Sequence, residues 1–163
     1  AISFSPTTRE MEQAYDDAKY GHWSHKPYID MIIPTLVDPQ MAPPGKHVIS
    51  CFVQYAPYKL APGLGTWDDN REAFGDAVIN RISEFAPNIK DIIIVRQVLT
   101  PLDIERTMGL TEGNIFQGEA RFKTPVQNLW LSGSSTHPGG GLMGANGRLA
   151  ALEVLKSRGR KVA

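Results

Sequence analysis

The residues with the most chemistry in their spacing lie near the end of the 163-residue chain. Gly133-Ser134-Ser135-Thr136-His137-Pro138-Gly139-Gly140-Gly141-Leu142-Met143-Gly144 follows a short apolar run, residues 128–132, and leads into residues of high helix propensity. Glycines let a backbone approach a ligand closely. A helix starting near Gly144 would aim unpaired N–H groups and a partial positive charge at that ligand. An anion or an electron-rich carbonyl suits such a place. His137 is the candidate catalytic group, since imidazole titrates near neutrality; the alternative is that it only shapes the loop before Pro138.

Gly139, Gly141 and Gly144 satisfy the G-x-G-x-x-G dinucleotide fingerprint, but their context differs from a first βαβ unit. There the glycines follow the strand almost directly, and an acidic residue closes a second strand about 20 residues later. Here a five-residue segment separates Gly133 from Gly139 and the sequence reaches Ala163 without room for that strand. A complete site of that kind is therefore not expected within this segment. Ser132, Ser134 and Ser135 raise a serine hydrolase reading. The nucleophile elbow G-x-S-x-G is missing, however, because His137 stands where its second glycine belongs. His22, His25 and His47 lack partners at metal-ligand spacing, so no metal site is expected. Cys51 reads as a packed small hydrophobe.

The elements that would position the turn read as mixed α/β. Ser5, Pro6 and Thr8 stand at cap, first and third positions of a helix whose Met11, Ala14, Tyr15 and Ala18 share a face, ended by Gly21. Residues 28–36 read as a strand leaving its sheet at Pro34, and residues 38–45 as a proline-rich loop. In a strand over residues 48–55, Ile49, Cys51, Val53 and Tyr55 form the apolar face. Asp68, Asp69 and Asn70 offer caps to a helix striped by Phe74, Ala77, Val78, Ile82 and Phe85. Residues 92–98 read as a returning strand. Thr100, Pro101 and Asp103 then start a short helix closed by Gly109, and a polar loop covers residues 111–118. Leu149, Ala150, Val154 and Leu155 form the buried side of a last helix, with Lys156 and Arg158 favourably placed in its final turn. Phe52, Tyr55, Tyr58 and Trp67 could line an apolar substrate cavity, or be plain core.

Composition limits the function classes. The chain has 42% hydrophobic and 21% charged residues, the balance of a soluble globular protein, which argues against disorder. Seventeen Lys and Arg against 17 Asp and Glu leave no charge excess to bind nucleic acid. No apolar run suggests stable membrane insertion. A single cysteine excludes an intrachain disulfide framework and suits a reducing compartment such as the cytoplasm or an organelle matrix. An opening at Ala1 without methionine leaves processing and membership in a longer protein both open.

Residues 128–133, then Thr136-His137-Pro138-Gly139-Gly140-Gly141 and Gly144-Ala145, resemble the C-terminal flavin motif of the phytoene desaturase and amine oxidase superfamily. Residues 34–38, 42–47, 99–103 and 113–118 are similar to its phytoene dehydrogenase-like branch. The resemblance implies a FAD-dependent oxidoreductase of which this chain is the C-terminal part. Residues 1–120 would belong to a substrate domain with a mixed sheet, and residues 121–163 would supply the final strand, turn and helix of a Rossmann-like FAD-binding domain whose N-terminal βαβ unit is absent. It further implies that Gly133 and Ser134 lie near the diphosphate or ribityl chain, and Gly140, Gly141, Leu142, Met143 and Gly144 near the flavin ring. The expected partner is an apolar or amine-like small-molecule substrate. A homodimer through surfaces covered by the missing half, or a non-catalytic interaction module, is the alternative. Gln117 departs from the branch pattern, where His is expected.

Overall fold

The computed structural model describes residues 1–5, 7–116, 121–139 and 144–160. The chain is mixed α/β and forms two compact units, Ala1–Ile104 and Glu105–Ala163.

The first unit holds a three-stranded sheet in the order β1 (Ile2–Phe4), β2 (Tyr28–Ile32), β3 (Ser50–Gln54), antiparallel throughout. The register aligns Phe4, Ile29 and Val53 in one row and Ile2, Met31 and Cys51 in the next but one. Because side chains alternate across a strand, one face of the sheet becomes apolar. Phe4, Ile29 and Met31 on that face pack with Val78, Ile82 and Ile89, and Cys51 and Val53 lie against the cluster. Phe52 and Ser50 fall on the other, exposed face, as the alternation requires. Burial pushes the Cys51 thiol above its ordinary range, in keeping with a packing role.

The helices that cover the sheet begin at side-chain caps. Helix α1 (Thr8–Lys19) starts at Thr7, whose side chain accepts from the Glu10 N–H; Thr7, not Ser5, is therefore the cap. Helix α2 (Trp67–Ser83) starts at Thr66 with a reciprocal box to Asp69. The expected capping residues Asp68, Asp69 and Asn70 thus lie inside the first turn, where acidic groups face the N–H end of the helix. Phe74, Ala77, Val78 and Ile82 are buried as the stripe predicts, while Phe85 stays 56% exposed and meets Phe4 edge-on at 5.4 Å. A one-turn helix α3 (Ile89–Ile92) precedes α4 (Pro101–Met108), which carries the box predicted from Thr100 and Asp103.

Two expected strands are not strands. Residues 93–99 run without regular structure after α3, and residues 128–132 make only one bridge, Trp130 to Lys123. Each is rich in β-forming side chains. A strand also needs a neighbour to take its backbone groups, and the described residues supply none for 93–99 and only a local one for Trp130. Residues 28–36 likewise end as a strand at Ile32 and turn into a short 3-10 helix, Pro34–Leu36, because proline cannot donate to a ladder.

Two consequences can be measured. Gly21 has φ 83°, and a Cβ there would lie 2.7 Å from the Ala61 backbone nitrogen, which donates to the Gly21 carbonyl. Gly21→Ala is expected to destabilise the first unit by about 2 kcal/mol in urea titration, from the left-handed backbone and the clash together. Asp103 is the second. Burial alone would raise its carboxyl, but hydrogen bonds from the Thr100 N–H and hydroxyl, together with Arg71, hold it below the ordinary carboxylate range. A depressed folded value contributes stability that is complete above the unfolded value of 3.8 and lost as pH falls through the folded one. Acid unfolding should accordingly show a smaller loss of stability below that pH in Asp103→Asn than in the unsubstituted chain.

Candidate functional site

The glycine-rich turn lies in the second unit. Residues 122–131 fold back on themselves: Leu131 N–H donates to the Phe122 carbonyl at 2.7 Å and Thr124 N–H to that of Leu129 at 3.3 Å. Asn128 takes a left-handed conformation, φ 62°, at the tip. The chain then enters the turn at Gly133.

Thr136 is the first organiser of this turn. It is fully buried, its N–H and hydroxyl both donate to the Gly133 carbonyl, at 3.0 and 2.8 Å, and its Oγ1 accepts from the Gly133 N–H at 3.2 Å. Its own carbonyl accepts from the Gly139 N–H at 2.7 Å. Asn146 is the second organiser. Its buried Nδ2 donates to the carbonyls of Gly133 and Thr136 at 2.8 Å each and of Gly139 at 3.0 Å. One amide group therefore gathers three carbonyls that would otherwise point apart, and the turn takes one shape.

Helix α5 (Ala145–Ser157) leaves this turn from Gly144, which is left-handed at φ 65° and gives no side-chain cap. Its backbone ladder opens with Arg148 N–H on the Gly144 carbonyl. The N–H groups of Ala145, Asn146 and Gly147 have no acceptor among the described residues. Gly133, Gly139 and Gly144 all have positive φ, and open space lies where each Cβ would project. The arrangement is a bare backbone concavity beside a helix N-terminus, suited to a flat, electron-rich group.

The predicted site residues fall as follows. Gly133, Ser134 and Gly144 border this turn, and His137 is exposed within it, joined to Pro138 by a cis bond. Gly140, Gly141, Leu142 and Met143 lie outside the described residues, as does Gln117. The four aromatic residues considered for a cavity do not gather around one. Trp67 is buried against Trp23 and Phe74, Tyr55 packs edge-on to Tyr15, and Phe52 is half exposed on the outer sheet face. Thr136 and Asn146 escaped the sequence reading. A short polar side chain in the first turn of a helix reaches back to the loop before it, and that was the available signal.

No protein-family model matches the chain. It is 42% identical over 161 residues to the mouse pyridine nucleotide-disulfide oxidoreductase domain-containing protein 2, covering 90% of this chain and 28% of that protein. The chain corresponds to the C-terminal part of a phytoene desaturase-like oxidoreductase. Within that group it is also 26% identical to the 4,4'-diapophytoene desaturase of Staphylococcus aureus over 75% of its length, which is 27% of the desaturase. A limonene dehydrogenase of Castellaniella defragrans is 27% identical, in one of its subunits, over 91% of this phytoene desaturase-like chain and 30% of the dehydrogenase polypeptide. The chain spans less than a third of the length of each of these relatives.

Proposed function

We propose that the protein to which this chain belongs is a FAD-dependent oxidoreductase that dehydrogenates or desaturates an apolar or amine-like small molecule. The observation that carries this reading is the turn clasped by Asn146 at the foot of α5, in a sequence similar to desaturases and dehydrogenases. The bare backbone at Gly133, Gly139 and Gly144 fits the edge of a flavin, since a Cβ at any of them would fill the space the group needs. Bound there, FAD supplies an acceptor for a hydride from substrate.

The residues of this chain have narrower duties. Gly133 and Ser134 would lie along the diphosphate or ribityl chain. Gly140, Gly141, Leu142, Met143 and Gly144 would lie along the ring, with free N–H groups at the start of α5 favouring electron-rich atoms. His137 is the protonatable side chain of the turn, and its exposed imidazole can hold or release a proton near neutral pH. The 163-residue chain by itself is expected to bind FAD weakly or not at all and to be inactive, because half of a ligand's contacts do not repay its immobilisation.

The test is anaerobic. Full-length protein carrying oxidised flavin is mixed separately with limonene, phytoene, a hydrophobic amine and a reduced nicotinamide nucleotide. Bleaching of the flavin by a hydrocarbon or amine supports the reading. Bleaching by the nucleotide alone would overturn its substrate class.

A second reading is favoured by one surface. Ile2, Ile32, Leu36, Val37 and Met41 are all about half exposed or more and line an open groove of about 560 Å³. A non-catalytic module dimerising through this face would bury it. Sedimentation showing a monomer across a wide concentration range would remove that alternative.

A further inference from the structure

Residues 92–98 are Ile-Ile-Ile-Val-Arg-Gln-Val, a run that any strand could use. Ile94 is 74% exposed and Val95 86%, although each is β-branched and apolar. Among the described residues, no backbone N–H or carbonyl from Ile93 to Leu99 is hydrogen-bonded. The segment is nevertheless held in place. Arg96 pairs with Asp76 at 2.7 Å and Glu72 at 2.5 Å on α2. Val98 lies over Gly75, where a Cβ would come within 2.7 Å of its Cγ2. Downstream, Asp103 accepts from Arg71 of α2 at 2.5 Å.

We propose that residues 92–98 form a docking edge that receives a β-strand from the portion of the longer protein outside this sequence. The proposal rests on the reading of the chain as part of a larger oxidoreductase. The relatives that match it carry roughly 70% of their length elsewhere, which is the source of the occupant. Neighbouring residues of an extended segment point to opposite sides, and Ile94 and Val95 are both exposed, so both sides await cover. The occupant is therefore a predominantly apolar strand, of the kind buried on both faces, joined by backbone hydrogen bonds. A glycine at position 75 and an arginine bridging two carboxylates fit a segment that is anchored before its partner arrives.

Hydrogen exchange on the full-length protein and on the 163-residue chain tests this directly. Amides of residues 93–98 are expected to exchange about a hundredfold more slowly in the full-length protein. Val95→Pro, which removes a donor unused in the short chain, should leave the short chain's unfolding midpoint unchanged and lower that of the full-length protein. Equal exchange in both forms would overturn the proposal. So would protection of the short chain that grows with its concentration, since the occupant would then be a second copy. A gene product with nothing ahead of Ala1 would also overturn it, because no occupant would exist. Protection in a full-length protein that holds no flavin would sustain the docking edge and sink the flavin reading, so the two can fail separately.

Discussion

Asn146→Asp is expected to open the glycine-rich turn while leaving the first unit folded. The substitution keeps the size of the side chain and exchanges its NH2 for an oxygen. The carbonyls of Gly133, Thr136 and Gly139, now 2.8 to 3.0 Å from Nδ2, would then face a carboxylate. Lost hydrogen bonds from a buried group cost about 1 to 3 kcal/mol each when their partners stay unpaired, and here a buried charge adds repulsion. Because water can reach part of the turn, about 4 kcal/mol for Asn146→Asp and about 2 kcal/mol for Asn146→Ala are the expected losses. The Gly139 amide, which donates to Thr136, reports this locally: its exchange should accelerate roughly thirty-fold in Asn146→Ala. An Asp variant as well protected as the Ala variant would show that the clasp is not electrostatic.

The second large effect belongs to the sheet. Ile29 is wholly buried at the centre of β2, between Phe4 on β1 and Val53 on β3, and below Val78 and Ile82 of α2. Ile29→Ala removes three methyl-sized groups from a place where strand and helix are too well tied to collapse, at a cost of about 4 kcal/mol. A domain of ordinary stability, roughly 5 to 15 kcal/mol, would be close to unfolding. Phe52→Ala, on the exposed face of the neighbouring strand β3, should cost less than about 1 kcal/mol although it deletes more atoms. Urea titration of both variants tests the assignment of faces. Similar losses from the two would contradict it.

These two positions also show what a reader of the sequence can and cannot see. The period-two pattern around Cys51 and Val53 and the stripe from Phe74 to Ile82 report local periodicity, and the structure keeps both. Thr100, Pro101 and Asp103 likewise start α4 because a capping box is complete within four residues. Residues 92–98 and 128–132 failed for the opposite reason. Their side chains favour strands, but strand formation depends on a neighbour far away in sequence, which local pattern does not reveal. The glycines of the turn were conspicuous, whereas their organiser was not. Asn146 acts through distances to three carbonyls of a loop up to 13 residues earlier, and only the folded backbone brings them together.

The central claim is that this turn is one wall of a flavin site completed by the rest of a longer protein. It is tested most directly by counting FAD on the full-length gene product after native purification and desalting, with the 163-residue chain treated alongside. The account predicts one retained FAD per full-length chain and none on the shorter one. A full-length protein that emerges colourless and takes up no added FAD, or a short chain that holds FAD stoichiometrically, would contradict it.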